Sequence, residues 1–282
     1  MKTVGILVGV MLAGLAVLLG VGEYMWRGES QKVRERLVPA AAEAPRVQLA
    51  SVDSLPAPVA RYLRAVLRDG DPMPAHVRIT EAGEFLTRPN DDGWGRFTAT
   101  HDIVRAPAGF LWDAKIRMGP GLSVRVRDSF VGGEGAMFGS LMGYIPVVNS
   151  RGTPAMSQAS LQRWLAEAVW APGALLPASG VRWAAIDDTS ARATVTSGGT
   201  TVSLDFFFGA DGLVSRIYSP ARAREFNGKT EPTPWQGRWS DYAERGGVKV
   251  PTRGEVEWLL PEGPQVYWKG RVETYATGAP RD

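Results

Sequence analysis

Between Phe110 and Phe130 apolar and polar residues take turns. Phe110, Trp112, Ala114, Ile116 and Met118 occupy every second position, with Asp113, Lys115 and Arg117 between them. After Gly119-Pro120-Gly121 the rhythm resumes through Leu122, Val124, Val126, Asp128 and Phe130, with Arg125 and Arg127 on the other side. A period of two belongs to a strand. It sends one face into a core and the other into water, the condition of antiparallel sheets. The Gly-Pro-Gly turn joins the two runs as a hairpin.

Comparable runs fill most of the chain. Residues 77–86 and 95–104 read as earlier strands. Residues 181–186, 191–196, 202–208, 213–218, 237–242, 248–250, 254–259 and 266–275 read as later ones, with Gly198-Gly199 and Asp211-Gly212 as turns. Two stretches carry helical spacing instead. In residues 53–69, Val59, Tyr62, Leu63, Val66 and Leu67 make one apolar face, capped by Asp53 or Ser54 and ended by Gly70. In residues 157–170, Leu161, Trp164, Leu165, Ala168 and Val169 do the same, with Ser157 as cap and Pro172 as stop. The glycine-rich segment 132–152 fits a pair of short strands or a mobile apolar flap. About twelve strands and two globular helices are expected, an α+β fold dominated by β structure.

Residues 3–22 contain no charge. As a helix, twenty residues span about 30 Å, the thickness of a bilayer's hydrocarbon core. The run is long for a signal peptide, and bulky Tyr24, Met25 and Trp26 follow it, as interfacial aromatics follow an anchor. Gly20-Val21-Gly22 is a weak cleavage site, which keeps a cleaved signal as the alternative. Counting basic residues on either side favours a cytoplasmic domain. A short N-terminal anchor ahead of an extended β domain favours export. The expectation is a single-pass inner (cytoplasmic) membrane protein with its domain on the periplasmic or extracytoplasmic side. The boundaries are anchor 1–22, stalk 23–52 and one β-rich domain 53–278, with a short polar helix over 27–37 and a Pro/Ala linker over 39–45.

Composition removes several chemistries. The chain has no cysteine and two histidines, His76 and His101, so thiol catalysis, disulfides, cysteine-ligated metals and a three-histidine site are out. A net charge of +3, with acidic and basic residues interleaved, does not suit a nucleic-acid partner. Residues 223–230 (AREFNGKT) fit a relaxed phosphate-loop pattern. The loop carries Arg224, Glu225 and Phe226, and Pro232 and Pro234 oppose the helix it would need, so a hairpin turn at Asn227-Gly228 is the better reading. No cofactor or metal site is expected. His101 and Asp102 are adjacent in a strand and so face opposite ways. Both histidines are read as surface or structural residues. A carboxylate pair, Glu167 beside Trp170 with Asp187 after Trp183, is the one acid–base option, ordinary ion pairing being the simpler account. Of the ten tryptophans, Trp112, Trp164, Trp183 and Trp258 are the candidate lining of an apolar ligand cavity.

The string from Arg163 to Pro177 (RWLAEAVWAPGALLP), with residues 180–191 (GVRWAAIDDTSA), resembles an uncharacterised bacterial domain-of-unknown-function family. Residues 55–64, 109–114 and 234–237 agree with it, so the resemblance covers about 55–275. It implies a membrane-tethered single domain with a fold similar to lipoprotein-localisation carriers: a curved antiparallel half-barrel closed by helices around an apolar cavity. It implies no activity, cofactor or catalytic residue. The expected role is an envelope protein that holds a lipid or other hydrophobic ligand without catalysis. The alternatives are an envelope hydrolase using Glu167 with Asp187, or a non-catalytic scaffold with a filled core that binds another envelope protein.

Overall fold

The computed structural model describes residues 2–37, 44–87, 93–226 and 228–278. Part of the linker expected over 39–45 lies outside these residues. The described chain forms three α-helices, α1 (Lys2–Leu37), α2 (Ala57–Val66) and α3 (Pro154–Glu167). It also forms thirteen strands in one antiparallel sheet. The first six are β1 (His76–Leu86), β2 (Trp94–Val104), β3 (Gly109–Gly119), β4 (Leu122–Val131), β5 (Glu134–Leu141) and β6 (Ile145–Arg151). The rest are β7 (Arg182–Asp187), β8 (Ser190–Ser197), β9 (Thr200–Phe208), β10 (Val214–Phe226), β11 (Lys229–Arg245), β12 (Val248–Leu260) and β13 (Gly263–Thr277).

The strand order is β6-β5-β4-β3-β2-β1-β13-β12-β11-β10-β9-β8-β7. The first and last strands pair at the centre, and β6 and β7 are the two free edges. The chain leaves one edge at Arg151, crosses the inner face as α3 and three short 3-10 turns between Ala168 and Ser179, and enters the opposite edge at Arg182. The sheet curls around this crossing. Its curvature brings the β4–β5 turn against the β8–β9 turn so closely that a Cβ on Gly198 would lie 2.1 Å from the Gly133 Cα. Gly133 (φ 89°) and Gly198 (φ 56°) also occupy the left-handed region, so both space and backbone require glycine there. The sheet is not closed.

Inward side chains and the helices form one core, including Val59, Tyr62, Phe110, Trp112, Leu161, Trp164, Trp170 and Phe206. Segment 132–152 is two strands, β5 and β6, and not a flap. Residues 248–250 and 254–259 form one strand, β12, which brings the total to thirteen. Helix α2 starts at Ala57, after Pro56 with its extended ψ of 138°, and Pro58 sits in the first turn, where its missing N–H costs nothing. Asp53 does not cap it and pairs with Arg64 instead. Helix α3 begins three residues earlier than expected. Thr153 is its cap, accepting from the Met156 N–H at 3.1 Å, while Ser157 Oγ accepts from Gly135 N at 3.1 Å and ties the helix to β5. The phosphate-loop pattern at 223–230 is strand, turn and strand, with Gly228 at φ 73° and Asn227 outside the described residues.

The largest departure concerns residues 23–37. They continue α1 without a break and lie on the outer face of β3 and β4, so no free stalk separates the first residues from the domain. Trp26 is buried, 4% exposed, and donates its indole N–H to Asp113 Oδ1 at 2.8 Å. Its ring stacks on Phe138 and carries the Arg127 guanidinium at 4.1 Å. The expected interfacial role therefore fails for Trp26, which is a docking residue; Tyr24 beside it is exposed. Glu23 pairs with Arg125, and Arg34 donates to Asp102 at 2.9 Å. Leu37 closes the contact on Val104 and Leu111. The side chains of residues 2–5, 7–13, 15, 16, 18 and 19 lie outside the described set. Among the described residues no helix is long and apolar enough to cross a membrane.

Candidate functional site

The curl of the sheet leaves an open space alongside α3. Strand ends from both halves of the sheet meet there: the end of β1, the β5–β6 hairpin, and the tips of the β10–β11 and β12–β13 hairpins. The result is a cavity of about 410 Å3. Its walls are mostly apolar, with Phe85, Val126, Met137, Val148 and Val256 among them, and four tryptophans, Trp112, Trp235, Trp258 and Trp268. Met156, Ala159 and Arg163 of α3 complete it.

Two of the four tryptophans expected at a ligand site are present, and two are not. Trp112 is fixed by its N–H donating to Glu81 Oε2 at 2.8 Å and by rings of Phe85 and Phe97. Trp258 stacks on Tyr267, with centroids 5.7 Å apart. Trp164 is sealed in the core, donating to the Val104 carbonyl at 2.8 Å. Trp183 donates to the Leu175 carbonyl at 2.9 Å and meets Phe206 edge-on, away from the cavity. Trp235, which donates to the Tyr267 hydroxyl at 2.9 Å, and Trp268 take their places. All ten tryptophans look alike in composition. Their places in the sheet, together with its curl, decide which four line the cavity.

The floor of the cavity is ionic. Arg163 donates Nε–H to both oxygens of Glu167 at 3.0 Å, and Nη1 to Asp128 Oδ2 at 2.7 Å. Burial alone would weaken the guanidinium's hold on its proton. The charges of Glu167 and Asp128 outweigh this and push its pKa above the ordinary arginine value. Arg163 Cζ also lies 5.0 Å from the Trp112 ring and 5.1 Å from Phe110. Behind this triad His101 is fully buried, its Nε2 3.5 Å from Glu167 and its Nδ1 3.6 Å from Glu81. In the sequence Asp128 is the one acid among the apolar positions of its strand, and Arg163 and Glu167 are spaced i,i+4. Those were the readable signals for the triad.

Glu167 and Asp187 do not form a pair. Glu167 is held by Arg163 on the cavity floor. Asp187 is solvent-exposed and accepts from Thr189 N and Oγ1 at 2.7 and 2.9 Å in the β7–β8 turn, which holds its carboxyl below the ordinary range. Asp102, on the opposite face from His101 as the strand alternation requires, sits in an outer cluster. Burial alone would raise its pKa. Hydrogen bonds from His76 at 2.8 Å, Arg78 at 2.7 Å and Arg34 at 2.9 Å outweigh that and hold it well below the usual carboxylate range. Both histidines are thus buried structural residues and neither is a surface one. Among the described residues no group of three or more His, Cys, Asp or Glu could hold a metal ion.

Fold and cavity together define a class: an open antiparallel sheet, crossed by one helix, with an aromatic-lined cavity between the two. The model for a family of unknown function, DUF6544, matches residues 45–270, and the chain belongs to that family. No curated protein matches. Among solved structures the chain is similar to the LolA superfamily protein NE2245 from Nitrosomonas europaea, with 12% identity over 80% of this chain and 94% of that one, and a TM-score of 0.38. It is also similar to a beta-barrel-like protein of the DUF1849 family from Brucella abortus, with 9% identity over 73% of this chain and 98% of that one, and a TM-score of 0.24.

Proposed function

We propose that this protein binds a lipid or similar hydrophobic ligand in the cavity between α3 and the sheet, without catalysing a reaction on it. The observation that carries this reading is the cavity itself. It has a ligand-sized volume of about 410 Å3 and a tryptophan-rich wall, and its ionic groups at the floor are already paired with one another. Affinity would come from removing apolar surface from water, at about 25 cal/mol per Å2. The Glu167–Asp187 hydrolase reading has no shared site to act in, and a scaffold with a filled core is disfavoured by the open volume.

We further propose that the first half of α1 is a single-pass anchor in the cytoplasmic membrane, with the domain on the extracytoplasmic side. Residues 3–22 are uncharged, α1 is helical through them, and Ile6, Val17 and Val21 are exposed. Protease protection in intact and opened cells tests the orientation.

Ligand binding is tested by native mass spectrometry of the full chain released from membranes. A co-purifying adduct of lipid mass is expected, and Met137→Trp, which projects a larger ring into the cavity, should reduce it at least severalfold. A protein that carries no adduct, and takes none up from lipid extract, overturns the reading.

A further inference from the structure

The floor and the mouth of the cavity differ in charge. At the floor Arg163 is matched by Asp128 and Glu167. At the mouth β10 presents Arg222 and Arg224, two residues apart and so on one face of the strand. Neither forms an ion pair among the described residues. Arg222 Nη2 donates to the Ala159 carbonyl at 3.2 Å, and Arg224 Nη2 donates to Gln265 Oε1 at 3.2 Å. Each guanidinium has five N–H groups, so most of this capacity is unused. The Arg222 Nε is buried with no acceptor at all.

The nearby acids do not answer these charges. Glu225 also borders the cavity, but it is exposed and forms no ion pair with either arginine among the described residues. Glu231 lies across from Arg224 in the β10–β11 register but is exposed and forms no ion pair with it. The arginines are nonetheless held in place. Arg222 Cζ lies 4.9 Å from the Trp235 ring and 5.6 Å from Trp258. Arg224 Cζ lies 4.7 Å from Phe226 and 5.9 Å from Trp258. Two cations braced on aromatic rings, with donors unspent, form a recognition edge for a carboxylate or phosphate.

We infer that the ligand is an anionic amphiphile, whose carboxylate or phosphate head is gripped by Arg222 and Arg224 at the mouth while its apolar tail lies against Trp112, Trp258 and Trp268. This rests on the cavity being a site for hydrophobic ligands, and it adds the charge of the ligand and the residues that read it. A neutral amphiphile of equal length leaves both guanidinium groups without a partner and loses the charge-assisted hydrogen bonds.

The test offers the full chain, in nonionic micelles, an equimolar mixture of tetradecanoic acid, tetradecyl phosphate and tetradecanol, and counts adducts by native mass spectrometry. The acid or the phosphate should be retained at least about tenfold over the alcohol, the scale of one charge-assisted contact. Whichever of the two dominates identifies the head as carboxylate or phosphate. Arg222→Gln with Arg224→Gln should bring the anions down to the level of the alcohol. Arg222→Lys with Arg224→Lys should keep most of the preference. Equal retention of alcohol and anions by the wild type, or an undiminished preference in the double Gln variant, overturns the inference and leaves the hydrophobic-ligand reading standing. Absence of all three adducts overturns that reading and the inference with it.

Discussion

Replacing Arg163 by Met should destabilise the domain more than any other single polar substitution at the cavity. The Arg163 side chain is 15% exposed, and its partners Glu167 and Asp128 are 10% and 5% exposed. Methionine keeps the aliphatic bulk but leaves two carboxylates in an apolar pocket with no cation. Removing one partner from a buried ionic cluster costs about 3–5 kcal/mol. At a urea slope of about 3 kcal/mol per molar, this lowers the unfolding midpoint by about 1–2 M. Urea melts of the full chain in nonionic micelles at pH 7.5, followed by tryptophan fluorescence, measure the loss. Replacing the whole cluster (D128L, R163M, E167M) should recover stability to within about 2 kcal/mol of wild type or exceed it. A loss below about 1 kcal/mol for R163M would refute the reasoning. It would mean that the cavity floor is wet enough to solvate the carboxylates.

Other expectations follow from the same contacts. Asp102→Asn removes an acid whose native pKa is depressed, so its stabilisation is present above the unfolded value near 3.9 and lost as pH falls below it. The variant should lose about 3 kcal/mol at pH 7 in denaturant melts, and the gap to wild type should narrow on acidification. Trp26→Ala should undock the second half of α1 from β3 and β4. Hydrogen exchange should then show amides 23–37 losing protection while the central strands keep theirs. Burial raises the phenol pKa of Tyr62, Tyr242 and Tyr275, so in an alkaline absorbance titration these three should ionise only when the protein unfolds.

The sheet was legible wherever one face is wet. The alternation from Phe110 to Phe130 names the β3–β4 hairpin almost to the residue, because a strand slipped by one position would bury Lys115 and Arg125. Segment 132–152 left two readings open because β6 is an edge strand whose Ile145, Val147 and Val148 are all solvent-exposed, and alternation has no meaning on such a strand. The docking of α1 was not legible. Residues 23–37 alternate acid and base as a solvated helix does, and their partners Asp113, Arg125 and Asp102 lie some seventy to one hundred positions away. Much of the site was hidden for a related reason. Arg222 and Arg224 share a face with Phe226, a strand pattern that was visible, but the segment drew attention as a failed phosphate loop. Which tryptophans surround the cavity depends on how far the sheet curls, and no local pattern records that.

The pairing of β1 with β13 has a consequence for the order of events during synthesis. The six strands β1–β6 and the six strands β7–β12 are runs of neighbours that can zip together as they emerge. The seam between these halves needs the last strand to be made. Until then β1 and β12 each present an open edge, the kind of surface that captures other strands. Joining partners about two hundred positions apart is also slow. The newly made chain therefore passes through a stage in which two half-sheets are present and the cavity between them has no common frame. The cavity's walls come from both halves, so it is complete only when the final strand is in place, and under the proposed function a ligand arriving then would favour the joined state over the parted one.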